Sequence, residues 1–142
     1  MLEIVLERQP TPQSSAAILD GLVAFNHAQT EGRFGPPFSF LLAIKDPDTG
    51  LTQGGLTGRI AYGWTYVELL YLPDTLRGHG LGEKLMVRAE EIAREHGCVG
   101  IRLETMSFQA PEFYRKLGYA QFGVLNDYPP GFTRHFLHKP LS

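Results

Sequence analysis

Leu70-Tyr71-Leu72-Pro73-Asp74-Thr75-Leu76-Arg77-Gly78-His79-Gly80-Leu81-Gly82 is the stretch whose reading decides the fold. It is the end of a strand, a turn and the first residues of a helix. Glycines at a helix start let backbone N–H groups point outward at an anion, and the helix dipole adds a favourable potential. A phosphate or pyrophosphate is the natural guest, and a tight turn without a ligand is the plain alternative. Spacing narrows the choice. A dinucleotide site needs G-x-G-x-x-G, but Gly78-x-Gly80 is followed by Glu83 where the third glycine belongs. A Walker loop needs Gly-Lys-Ser/Thr, and Gly82-Glu83-Lys84-Leu85 does not supply it.

Downstream of this stretch, Leu81, Leu85, Met86, Ala89, Ile92 and Ala93 form one apolar stripe. Glu83, Lys84, Glu90, Glu91, Arg94 and Glu95 fall on the other face, and Gly97 closes the helix. Val99 to Thr105 reads as a strand, so strand, helix and strand imply a local parallel pair. A short helix from Ala110 to Leu117 and two strands, Tyr119 to Leu125 and Phe132 to His138, follow. Upstream, Leu2 to Glu7 reads as a strand, and Thr11-Pro12 starts a helix over about residues 13–28. Gln29 to Pro37 is a loop. Phe38 to Lys45, a segment rich in glycine (Gly54, Gly55, Gly58) and Tyr66 to Leu72 form an antiparallel meander. Turns fall at Asp46–Gly50 and Tyr62–Trp64. The expected fold is mixed α/β (α+β): a mainly antiparallel sheet of about seven strands, flanking helices and one parallel crossover, in a single domain over 1–142.

Composition sets outer limits. The chain has 142 residues, 43% of them hydrophobic and 20% charged, enough for one core. A net charge of −2 argues against a general nucleic-acid binder. One cysteine, Cys98, excludes an internal disulfide and a multi-cysteine zinc site. No signal peptide or membrane span is read, and the expected location is the cytoplasm. His135 and His138, three apart in a strand, face opposite sides and cannot share a metal; no metal is expected. The serines lack a G-x-S-x-G context.

Arg77-x-x-Gly80-x-Gly82 resembles the R-x-x-G-x-G signature of the GNAT superfamily of coenzyme A-dependent N-acyltransferases. Leu70-Tyr71-Leu72 is similar to the strand whose backbone pairs with pantetheine in that family. Ala110-Pro111-Glu112-Phe113-Tyr114-Arg115-Lys116-Leu117-Gly118-Tyr119 resembles its A-x-x-F-Y-x-K-x-G-F/Y helix. Ser107-Phe108-Gln109-Ala110-Pro111 with Asp127-Tyr128-Pro129-Pro130-Gly131 resembles a group of small bacterial members. The order of elements agrees from residue 2 to 138, except that the family's second helix, due within residues 29–37, is reduced or missing.

The resemblance implies an acetyl-CoA-dependent N-acetyltransferase acting on a small-molecule or peptide amine. It places Leu70, Tyr71, Leu72, Arg77, Gly78, His79, Gly80, Leu81, Gly82, Gln109, Phe113 and Lys116 on the coenzyme A side. Either Arg115 or Lys116 could meet the 3′-phosphate, or both could be solvated. Tyr114 matches the family's general acid. A phenol of pKa about 10 keeps its proton at neutral pH and can donate to the departing thiolate. Phe113 with Leu117 makes the better core pair, leaving Tyr114 turned toward a cleft. For the base, alternation puts Glu68 on one strand face with Leu70 and Leu72. Glu104 is its rival, although gapless alignment from Tyr114 puts Arg102 at the family's base position; Tyr66 is a third candidate. Residues Glu31, Arg33, Phe34, Phe38, Trp64, Tyr66 and Tyr128 are expected on the acceptor side. No residue offers a convincing acyl-enzyme nucleophile, which favours direct attack in a ternary complex. An inert acyl-CoA sensor is the competing reading, and a homodimer stays open.

Overall fold

The structure, a computed structural model, describes residues 1–142. The chain forms two compact units, Met1–Gly35 and Pro36–Ser142. In the first, helix α1 spans Pro12–Gln29. Thr11 caps it, its hydroxyl accepting from the Ser14 amide at 3.1 Å, with Pro12 in the first turn where no N–H is needed. The end is tied by the Thr30 hydroxyl, which donates to the Asn26 carbonyl at 2.8 Å. Residues 2–7 form no strand. A strand needs a neighbour for its backbone groups, and nothing pairs with this segment. Its Glu7 instead accepts from the Ser14 hydroxyl at 2.9 Å.

The second unit holds a six-stranded sheet rather than one of seven strands. In chain order its elements are β1 (Phe38–Lys45), β2 (Thr52–Ala61), β3 (Trp64–Tyr71), α2 (Leu81–Glu95), β4 (Gly100–Met106), α3 (Pro111–Lys116), β5 (Ala120–Asn126) and β6 (Thr133–Pro140). The sheet order is β1-β2-β3-β4-β6-β5. All pairs are antiparallel except β3 with β4, which the α2 crossover makes parallel. Residues 30–37 hold no helix.

One sheet face carries the core. Leu56, Val67, Ile101, Leu103 and Leu137 are buried together with Met86, Ala89, Ile92 and Ala93 of α2 and Tyr114 of α3. The α2 stripe thus folds as its periodicity requires. Glu90 departs from the pattern: it is only 6% exposed, although helical spacing puts it among the charged residues. Its carboxylate accepts from the Tyr119 hydroxyl at 3.0 Å and from Lys139 at 2.9 Å, and Lys139 also donates to the Leu117 carbonyl at 3.0 Å. A buried carboxylate is tolerated only when paired in this way. The cluster ties α2, the end of α3 and β6 together. Cys98, also buried, lies 3.3 Å from the Thr65 hydroxyl and behaves as a small core residue.

The glycines of β2 mark close approach. A Cβ at Gly58 would stand 2.4 Å from the Phe40 ring, and one at Gly54 would stand 2.6 Å from the Tyr71 carbonyl oxygen. Beside them the β2–β3 register shifts between Thr57 and Gly58: Gly58 faces Val67, but Thr57 faces Leu69, so Glu68 is the extra residue of a bulge. That shift resets alternation. Val67 is buried, and beyond the bulge Leu70 and Leu72 pack against the core, while Glu68 and Leu69 are exposed.

Candidate active site

The parallel pair β3–β4 is short. It runs from Trp64↔Gly100 to Val67↔Leu103 and stops, although β3 continues to Tyr71 and β4 to Met106. The strands therefore part at Glu68 and Glu104. Past that point the β4-facing backbone groups of β3 have no strand partner, and the open wedge can accept an extended ligand along Leu69–Tyr71.

Both helices that follow these strands begin at the wedge end of the sheet. Residues 74–76 make one 3-10 turn, and Arg77 then braces the loop: its Nε donates to the Leu72 carbonyl at 2.8 Å and its Nη1 pairs with Asp74 at 2.7 Å. Gly78 and Gly80 have φ of +79° and +77°, a region that L side chains rarely enter, and a Cβ at either would meet nothing within 4 Å. Gly80 is the N-cap of α2 and has no side chain to cap with, so the first amides of the helix face open space. This cradle fits a pyrophosphate through backbone amides and the positive end of the helix dipole. Gly82 plays a different part. It lies within the helix, and its Cβ would stand 3.1 Å from the Phe113 ring and 3.6 Å from Leu72. Its smallness lets β3, α2 and α3 converge, and a methyl group there would press on Phe113 rather than on a phosphate.

On α3 the expected division of labour is reversed. Tyr114 is buried at 8% exposure, while Phe113 and Leu117 are only partly buried. The Tyr114 ring lies edge-on to Phe113 at 5.0 Å and to Tyr119 at 6.2 Å. Burial disfavours the phenolate and pushes the phenol up to about 12. No buried side-chain oxygen lacks a hydrogen-bond partner and the Tyr114 hydroxyl makes no bond within the protein, so that hydroxyl reaches the surface. Gln109 shapes the turn before α3, its Oε1 accepting from the Met106 amide at 2.8 Å and the Thr105 hydroxyl at 3.3 Å. Arg115 pairs with Glu112 and donates to Gln121 at 2.8 Å, whereas Lys116 and His79 are exposed.

The sheet face opposite the core gathers the remaining candidates. Glu104 sits at the parting of the strands with both oxygens engaged: Oε2 accepts from the Tyr66 hydroxyl at 2.6 Å and Oε1 from Arg134 at 2.7 Å. Burial first, then the Glu104 carboxylate, raises the Tyr66 phenol above its ordinary value. The Arg134 guanidinium lies 4.3 Å from the centre of the Tyr128 ring, and Arg102 lies 4.1 Å over that of Tyr66. Tyr66, Tyr128, Glu104 and Arg134 thus form one array, with Trp64 beside it against Gly100. Arg134 and Arg102 are members that the sequence does not point to as acceptor-side residues; the resemblance places Arg102 only at a base position. Phe38 leaves the group, since its ring stacks on His96 at 4.6 Å on the helix side of the sheet. Glu31 and Phe34 belong to the other unit, where Glu31 follows the end of α1 and the Arg33 guanidinium lies 5.4 Å from the Phe34 ring centre.

Residues 9–119 match the model of the acetyltransferase (GNAT) family. An acetyltransferase of Agrobacterium fabrum is 36% identical over 140 residues, covering 97% of this chain and 98% of the relative. A blasticidin-S acetyltransferase of Streptomyces morookaense is 46% identical over 95 residues, 66% of this chain and 70% of the relative. The crystal structure of an acetyltransferase from Agrobacterium tumefaciens superposes with a TM-score of 0.88 at 34% identity, covering 99% of this chain and all of that one. The chain belongs to the GNAT acetyltransferase family. It is an N-acetyltransferase that uses acetyl-CoA. No helix is long and apolar enough to cross a membrane.

Proposed function

We propose that the protein transfers an acetyl group from acetyl-CoA to a primary amine held on the outer sheet face, by direct attack in a ternary complex. The observation that supports this most is the parting of β3 from β4 after Val67 and Leu103, with the glycine-rich start of α2 at the same end. Bound acetyl-CoA supplies a thioester, an acyl group activated toward an amine. The Gly78–Gly82 amides hold the pyrophosphate, and the freed edge of Leu70–Leu72 aligns the pantetheine. Two ligands then meet at the wedge from opposite faces, which converts a bimolecular encounter into a positioned one.

Tyr114 donates to the sulfur as charge develops there. With its phenol at about 12 and an ordinary thiol at about 8.5, complete proton transfer is uphill by about 5 kcal/mol. The tyrosine acts chiefly as a hydrogen-bond donor that stabilises the leaving thiolate. Glu68, exposed on its bulge, is the base that takes the amine's proton, directly or through water. Glu104 is a positioning residue, because Tyr66 and Arg134 occupy both its oxygens.

Initial velocities measured by thiol release, with acetyl-CoA and a primary amine both varied, test the mechanism. Intersecting double-reciprocal lines are expected. Parallel lines would show an acyl-enzyme and refute direct attack. Thiol release at background across an amine panel, with acetyl-CoA bound, would favour the sensor instead.

A further inference from the structure

Arg102 stands in an unusual position on the outer face. Its flat face rests on Tyr66, yet the edge of its guanidinium makes no hydrogen bond and no ion pair, whereas the neighbouring Arg134 is held by Glu104. A guanidinium edge carries fixed N–H donors that match a carboxylate in paired geometry, and stacking on a ring holds that edge in place. Arg102 lines an open cavity of about 510 Å³ whose other walls are Trp64, Phe122 and His138. The Phe122 and His138 rings meet edge to face at 5.2 Å.

The charge around Arg102 is one-sided. Cross-strand register places Arg59, Tyr66, Arg102 and His138 in one row on the same sheet face, with no carboxylate among them. The nearest acid on β4, Glu104, is already satisfied by Arg134 and Tyr66. Tyr66, on whose ring Arg102 rests, bonds Glu104 where the strands part, so one stacked pair separates this wall of the cavity from the wedge. It lies at the beginning of β3, while the glycine-rich loop follows the strand's far end. Seven residue steps of strand span roughly 23 Å, so one anion cannot serve both places.

We infer that this cavity receives the body of the acceptor, and that the acceptor is an amine bearing a carboxylate, which Arg102 binds between aromatic walls. This rests on the acetyl-transfer reading above and adds the class of substrate.

The test compares matched amines with and without the carboxylate: tryptophan with tryptamine, tyrosine with tyramine, and lysine with cadaverine. The carboxylate-bearing member is expected to have the higher kcat/KM in at least one pair. That ratio should fall roughly 10- to 100-fold in Arg102→Met, through KM, with partial recovery in Arg102→Lys. Turnover that favours the decarboxylated amine in every pair overturns the inference and leaves acetyl transfer intact. Loss of turnover with all six amines counts against the transfer reading. The carboxylate site is then judged by binding: titration of 3-phenylpropionate into CoA-saturated protein should show saturable binding that is weakened in Arg102→Lys, which retains charge but not the paired edge. No binding, or equal binding in both, overturns it.

Discussion

Replacing Tyr114 by phenylalanine separates chemistry from packing better than any other single change in the site. The ring is 8% exposed and held by Phe113 and Tyr119, and phenylalanine keeps both contacts. Because the hydroxyl bonds to nothing in the protein, its loss leaves no partner stranded. Stability should therefore move by no more than about 0.5 kcal/mol, the range of substitutions that touch no special feature. Losing one preorganised donor at developing charge costs about 10²-fold in rate, equivalent to ~2.7 kcal/mol. The assay is kcat by thiol release at saturating acetyl-CoA and amine, beside urea denaturation and calorimetric acetyl-CoA affinity. We expect kcat reduced by about two decades, with midpoint and affinity unchanged. The pH dependence adds a second arm. Burial disfavours the phenolate, so with a phenol at about 12 only about 1% is deprotonated at pH 10. The wild type should show no falling limb from this group below about pH 10. A kcat within twofold of wild type in Tyr114→Phe would reduce the tyrosine to a packing residue, and the thiolate would leave without it.

Four further outcomes are expected. Glu68→Gln should lower activity most near neutral pH, where the amine is largely protonated, and less at alkaline pH; an equal loss at every pH speaks against a base there. Gly80→Ala strains a residue at φ +77° and should cost about 1–2 kcal/mol of stability in the unliganded protein and weaken acetyl-CoA binding, both read by thermal shift with and without ligand. Gly82→Ala should destabilise through Phe113, and Gly82→Ala/Phe113→Leu should recover part of the loss; no recovery would refute the contact as the cause. Arg134→Met leaves the half-buried Glu104 carboxylate, 17% exposed, with Tyr66 alone, and should cost about 1–3 kcal/mol in urea unfolding. The double change Arg134→Met/Glu104→Leu should cost less than the single one.

Local chemistry made most of the second unit legible. Phe38 to Lys45 folds with the bounds its sequence suggests, and the α2 stripe and the parallel crossover follow from period and connection alone. The misreadings share one cause, since each depends on what lies across from a residue. Alternating Leu2, Ile4 and Leu6 fit a strand, but alternation supplies no partner, and the segment stays unpaired. Glu90 sits at a charged helical position, yet Tyr119 and Lys139, distant in sequence, make its burial affordable. Helical spacing assigned Phe113 and Leu117 to the core ahead of Tyr114, but it could not show that Gly82 lets Phe113 lie beside α2. Arg134 is an ordinary strand arginine until register brings it opposite Met106, with its side chain on Glu104.

Glu68 shows how the same limit shapes the catalytic proposal. By alternation alone it shares a face with Leu70 and Leu72, and those two residues are in the core, where an unpaired carboxylate would be costly. The bulge at Thr57/Gly58 removes the conflict by inserting Glu68 as an extra residue, so β3 changes parity there without burying the acid. At that same residue β3 loses its β4 partner. A bulge that strengthens local twist turns the following segment away from its neighbour, which suits the opening of a wedge there. One irregularity thus exposes a carboxylate, returns Leu70 and Leu72 to the core and accompanies the freeing of a strand edge, all between Glu68 and Leu72. Gly58 stands between the two: it pairs with Val67 beside the bulge on one side and with Phe40 of β1 on the other, and a Cβ 2.4 Å from the Phe40 ring would force that ring or the strand to move. Gly58→Ala is therefore an indirect probe of the site, because it disturbs β2 at the residue that pairs beside the bulge, away from both proposed ligands. It should destabilise the sheet and slow transfer together, and a variant that lost stability while keeping full kcat would uncouple the bulge from the placement of Glu68.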